Sequence, residues 1–318
     1  MYLQRRDFLL LVTLAAVAAM PALGQTPASS GTQGAPSIPD FSGIWAHPSI
    51  PGFEPPSLGP GPVTNRSRRR YVLDPNGPLV SNLAQLVGDY TNPILKPQAA
   101  EVVKKHGEIS LAGVGYPTPR NQCWPGGVPF IFSSTGMQMF QQPDNITIIY
   151  DYDHEVRRVR MNEPHPAHVT RSWYGDSVGH YEGDTLVVDT VGIKVGPFAM
   201  VDWYGTPHTE ALHVVERYRL LDYEAAKEGL ERDEKENGRL LATNPGAHSL
   251  YFDPSYRGKH LQLQFTVEDE GVFTAPWSAA VTYQRPLGEW REMSCAENPH
   301  GYFPGKHAAV PTADKPDF

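Results

Sequence analysis

Ser177-Val178-Gly179-His180-Tyr181-Glu182-Gly183-Asp184-Thr185-Leu186-Val187-Val188-Asp189-Thr190 is the stretch that decides the fold class. Two runs that favour extended backbone flank Glu182-Gly183-Asp184, and a Gly-Asp pair in that setting reads as a hairpin turn. With Gly183-Asp184 as a two-residue turn, Glu182 pairs with Thr185, His180 with Val187 and Val178 with Asp189. Upstream, residues 145–150 and 155–160 read as another hairpin around 151–154. Downstream, 212–220 is a long strand and 279–284 the last one. Between them 260–267 alternates, with Leu261, Leu263, Phe265 and Val267 on one face.

The folded part begins with a first strand over 40–45. Residues 97–106 read as one short helix, with Pro97 in its first turn and Gly107 as its stop. Residues 223–237 read as a charged helix with little apolar face, inside an insertion near 221–257. Pro51, Pro55, Pro56, Pro60 and Pro62 keep their stretch irregular along a surface. The expected fold is all-β and mainly antiparallel. It is a barrel or strongly curved sheet, lipocalin-like in outline, with one or two short helices and long Pro-rich loops. No internal repeat points to a propeller.

The chain has 318 residues, a formal charge of −8, 31 prolines and 29 glycines. Negative charge is spread along it, and the basic run at 66–70 sits in a Pro- and Gly-rich loop, so no nucleic-acid partner is expected. Arg5 and Arg6 precede Phe8, Leu9 and an apolar run to Met20, followed by Pro21 and Ala22-Leu23-Gly24. That order reads as a twin-arginine signal peptide over 1–24, with an ordinary secretory signal as the alternative. The apolar run is too short to span a membrane. Residues 25–39 are a disordered linker, and 40–318 a single β-rich domain, periplasmic or secreted. The translocon is its expected partner during export. In that compartment Cys123 and Cys295, the two cysteines, are a disulfide candidate, with two free buried thiols as the other reading.

The segments 175–190 and 205–219, with Val267-Glu268-Asp269 and Pro276-Trp277, resemble an uncharacterised family of secreted bacterial β-rich proteins. Residues 39–45 and 295–298 fit the same pattern. The resemblance covers most of 39–300 and departs from it at 48–62 and 221–257. It implies export and a β-rich fold, and brings no activity with it.

Several constellations are candidates for chemistry. The hairpin register makes His180 and Asp189 diagonal neighbours on one face, the makings of a general-base dyad or of a polar outer surface. On the strand over 212–220, Glu216 falls on the apolar face with Leu212, Val214 and Tyr218. A carboxylate there pairs with a cation, with Arg158 or Arg160 in view, or holds its proton as a general acid. His165 and His168 stand in a Pro-stiffened loop, and His208 and Glu210 in another. Should both loops meet at one rim, His165, His208 and Glu210 form an acid–base set. Arg217 would steady an anionic group, while Trp173, Tyr174, Trp203 and Tyr204 would wall an apolar or sugar-binding pocket or, as is commoner for aromatics in β domains, belong to the core. Each imidazole also has a plain reading as a solvated loop residue.

The leading expectation is an enzyme using His and carboxylate acid–base chemistry on a small organic molecule, as a lyase, isomerase or hydrolase without a cofactor. A non-catalytic, lipocalin-like binding protein is one alternative. A metal-dependent hydrolase is the other, on weak signals, because His-x-x-His and His-x-Glu lack the helical spacing of a zinc site.

Overall fold

The structure, a computed structural model, describes residues 38–47, 51–67, 86–112, 116–134, 136–237, 253, 255–288, 290 and 294–295. The chain divides into Met1–Ala35 and Pro36–Phe318. The first unit, with the expected signal peptide, lies outside the described residues, and everything below concerns the second.

Among the described residues, nine strands form one sheet in sequence order: β1 (Gly43–Ala46), β2 (Gly136–Gln141), β3 (Asn145–Tyr150), β4 (Val156–Met161), β5 (Asp176–Glu182), β6 (Thr185–Val191), β7 (His213–Leu221), β8 (His260–Glu268) and β9 (Trp277–Tyr283). Ala46 and Gln284 exchange two backbone hydrogen bonds of 2.8 and 2.9 Å, which draws the first strand onto the last. The result is a nearly closed barrel, as the strand pattern predicts. The Pro-rich stretch follows the remaining edge of β9. Glu54 bridges Ala280, Ser278 donates to the Pro60 carbonyl, and Phe53 is buried against Phe265. Its prolines suit this place, since a strand lying on a sheet edge keeps few ladder donors.

The β5–β6 hairpin has the register read from its turn, with Glu182 opposite Thr185 and Val178 opposite Asp189. Gly183 takes a φ of +62°, the left-handed value a tight hairpin turn needs. Of the eight pairings, β4–β5 alone is parallel. A parallel step cannot close through a tight turn, so residues 162–175 must travel back the length of a strand. That excursion carries His165 over the outer face of β5 and β6. Gly175 ends it with a φ of +69°, where a Cβ would meet the Val191 carbonyl at 2.5 Å.

Helix α1 (Pro97–Leu111) runs through Gly107, so that residue is not the expected stop. The missing side chain instead makes room for Val87, whose Cγ1 would lie 2.7 Å from a Cβ there. Helix α2 (Tyr223–Asn237) has the expected bounds and turns Ala226, Gly229 and Asn237 inward, with Gly229 above Glu54 and Thr282. Cys123 and Cys295 are disulfide-bonded, as expected. Among the described residues no helix is long and apolar enough to cross a membrane.

Candidate functional site

Alternation sorts the side chains of β5–β9 into two faces. Inward point Val188, Thr190, Val214, Glu216, Tyr218, Leu263, Phe265 and Val267, all buried. Arg157 of β4 joins them and donates through Nη1 to Glu216 Oε2 at 2.7 Å, and through Nη2 to Glu216 and to Thr190 Oγ1 at 2.6 Å. Tyr218 adds its hydroxyl to Glu216 at 2.7 Å, and Ser177 Oγ accepts from Arg157 Nε at 3.1 Å. Glu216 is therefore a paired structural carboxylate. Its partner is Arg157, not Arg158 or Arg160, because Arg157 shares parity with the buried Val159 and Met161. Burial alone would push the Arg157 pKa down, but the adjoining carboxylate outweighs it and the guanidinium is held more firmly charged. The buried aromatic rings of Tyr150, Tyr218, Phe265 and Trp277 belong to the same core.

The outer face carries the acid–base groups. Asp176 begins β5, Asp189 lies on β6, His213 begins β7 and Glu268 ends β8 directly opposite it. His165 descends on them from the 162–175 excursion. Its Nδ1 is 2.7 Å from Asp176 Oδ2 and its Nε2 3.0 Å from Asp189 Oδ1. His213 Nε2 donates to the same Asp189 carboxylate, 3.1 Å from Oδ2. His213 Nδ1 faces Glu268 Oε2 at 3.5 Å, too far for a good hydrogen bond. The alternating row is thus Asp176, His165, Asp189, His213, Glu268, with Arg160 donating to Asp176 at 2.5 Å.

Charge follows from this arrangement. A neutral imidazole has one N–H and can donate to only one of the two carboxylates at His165, whereas the cation can donate to both. Hydrogen bonds from His213, then from His165, hold Asp189 below the usual carboxylate range against the effect of burial. Asp176 is lowered chiefly by its hydrogen bond from Arg160. The bond to Asp189 raises the pKa of His213. With 31% of the His213 side chain and 39% of Asp189 exposed, both can meet a solute.

Beside this row lies a groove of about 330 Å³. Its floor is the outer face of β7–β9 and includes Gln264, Thr266 and Ser278. Arg217 and Arg232 of α2 flank it, and Pro55–Ser57 forms an overhanging strap. The row and the groove are neighbours on the sheet: Asp189 pairs with Val215 of the groove, and Thr266 lies two residues from Glu268.

Other candidates fall elsewhere. His180 does not reach Asp189. Its Nε2 turns to Glu182 Oε1 at 3.1 Å, and Asp189 is taken by His165 and His213. The expected set of His165, His208 and Glu210 is not assembled. The two loops do touch, since Arg171 donates to the Glu210 carbonyl at 2.8 Å and pairs with its carboxylate at 3.2 Å. His208, however, is buried, its Nδ1 3.2 Å from the Thr209 carbonyl, and burial lowers its pKa. It backs a narrow cleft with Trp124, Trp173 and Phe198 whose free space, about 10 Å³, is close to one water. Trp203 is a core residue, donating through Nε1 to Ser133 Oγ at 2.9 Å, with its ring tilted at 45° to that of Phe130, centroids 5.0 Å apart. Burial, with Glu155 beside it, raises the pKa of the Tyr174 phenol, and Tyr204 is buried. Among the described residues no three His, Cys, Asp or Glu side chains are arranged to hold a metal ion.

The residues missed by sequence reasoning are Asp176, His213 in this role, and Glu268. Parity marks each as outward-facing, but only the register between neighbouring strands brings them together.

Comparison with protein-family models, with curated proteins and with solved structures finds no match.

Proposed function

We propose that this chain is an exported enzyme that performs acid–base chemistry on a small organic molecule bound against the outer face of β6–β8. The observation that carries the reading is the sharing of one carboxylate, Asp189, between His165 Nε2 and His213 Nε2. His213 is the working acid–base. Asp189 fixes its Nε2, which leaves Nδ1, facing Glu268, to give or take a proton. His165, tied at both nitrogens, holds Asp189 in place. Glu268 is near enough to receive a proton from Nδ1 after a small shift. The raised pKa of His213 suits a group that begins as an acid and returns as a base near neutral pH. A disulfide and the twin-arginine reading of the first residues support work outside the cytoplasm.

The test is an unbiased turnover screen. Purified protein and its His213→Gln variant are incubated with a mixed small-molecule extract, and mass changes are followed. The expected result is a product whose formation falls roughly 10²- to 10⁴-fold in the variant, the range of a lost general acid–base, with melting temperature almost unchanged. Equal turnover by both proteins would overturn the reading.

A further inference from the structure

The groove beside the histidine–carboxylate row has a lining that specifies a class of ligand. Two guanidinium groups flank it, from β7 and from α2. Arg217 is ion-paired to Glu182, yet about 44% of its side chain is exposed and it keeps donors beyond the one Glu182 uses. On the floor, Thr266 Oγ1 and Ser278 Oγ lie 2.9 Å apart. One hydrogen serves that contact, so the pair retains one hydroxyl hydrogen and several lone pairs for a ligand. Gln264 is exposed, and among the described residues its amide has no hydrogen-bonding partner. At about 330 Å³ the groove is near the small end of ligand pockets, the size for one small molecule rather than a polymer segment.

We infer that this groove binds a small hydroxylated carboxylate of the sugar-acid type, its acid group gripped from the Arg217 and Arg232 side and its hydroxyls by Gln264 and the Thr266–Ser278 pair. The inference rests on the acid–base reading in one respect: it supplies the substrate class for the same site. Val215 lies in the groove and His213 is two residues back on the same face, about 7 Å along the strand. A molecule seated here therefore extends its carbon chain along the strand towards His213. The ligand's carboxylate would compete with Glu182 for Arg217, so Glu182 sets the affinity.

Isothermal titration calorimetry on the full protein, with D-glucuronate as probe and D-glucose as its uncharged counterpart, tests this. Glucuronate is expected to bind saturably and glucose at least roughly 10-fold more weakly, as the loss of a hydrogen bond to a charged group implies. Arg217→Gln should weaken glucuronate by roughly 10- to 100-fold and leave glucose unchanged, whereas Glu182→Gln should tighten it. Gln264→Ala, on an exposed floor position, should weaken both sugars. No saturable binding of glucuronate, equal binding of glucose, or indifference to both Arg217→Gln and Glu182→Gln would overturn the inference. Binding as expected, with all turnover independent of His213, would remove the acid–base reading and leave this one standing. Turnover that needs His213 in a protein indifferent to glucuronate would do the reverse.

Discussion

Arg157 and Glu216 meet inside the barrel, guanidinium against carboxylate, with 1% and 0% of their side chains reaching water. Such a pair is a weak source of net stability, because desolvation offsets most of the attraction. Its loss is another matter, since removing one partner strands a charge in the interior.

Glu216→Gln should therefore lower the unfolding free energy by about 3–5 kcal/mol. The double variant Arg157→Met, Glu216→Leu should regain most of that loss. Urea unfolding of the three proteins checks both statements. A single variant as stable as wild type would mean that water reaches this network.

His106 is buried in α1, its ring 4.1 Å from that of Tyr116, and neither ring nitrogen has a partner among the described residues. Burial pushes its pKa down to about 4. Because the unfolded chain takes up the proton near the ordinary value, stability is full above pH 6.5 and drains away as pH falls towards 4. The loss is on the order of 3 kcal/mol. His106→Phe should lose less stability than wild type between pH 7 and pH 4.5 in urea titrations. Equal losses would place the acid sensitivity elsewhere.

The bridge between Cys123 and Cys295 spans 172 residues. In the chain-entropy account, closing so long a loop is worth about 5 kcal/mol against the unfolded state. Replacing both cysteines by serine should lower the urea midpoint accordingly, and adding reductant to the wild type should reproduce the effect. A midpoint unmoved by either change would contradict it.

What was legible in the sequence divides along the range of the forces involved. The β5–β6 register could be read because Gly183-Asp184 fixes it locally, and the inward turn of Glu216 because alternation along one strand is local too. Arg157 was within reach by the same rule, since it shares parity with Val159 and Met161, but an arginine on a buried face breaks the expected pattern. The His165 cluster was not legible as a set. It requires the parallel β4–β5 step, which no local signal announces, to carry the 162–175 excursion over β5 and β6. His208 misled for a related reason. Flanking Gly and Pro suggested an exposed loop, whereas the bend at Gly205, with its φ of +78°, packs against His106 and turns that segment inward.

In the proposed mechanism Asp189 orients and charges His213. Histidine-resolved NMR titration of the full protein measures this without any substrate. His213 should titrate above 6.5 in the wild type, the direction its Asp189 hydrogen bond dictates. In Asp189→Asn the pKa should fall back towards the ordinary value, with the fold unchanged. A His213 pKa at or below 6.5 in the wild type, or one that ignores the Asn substitution, would contradict the account.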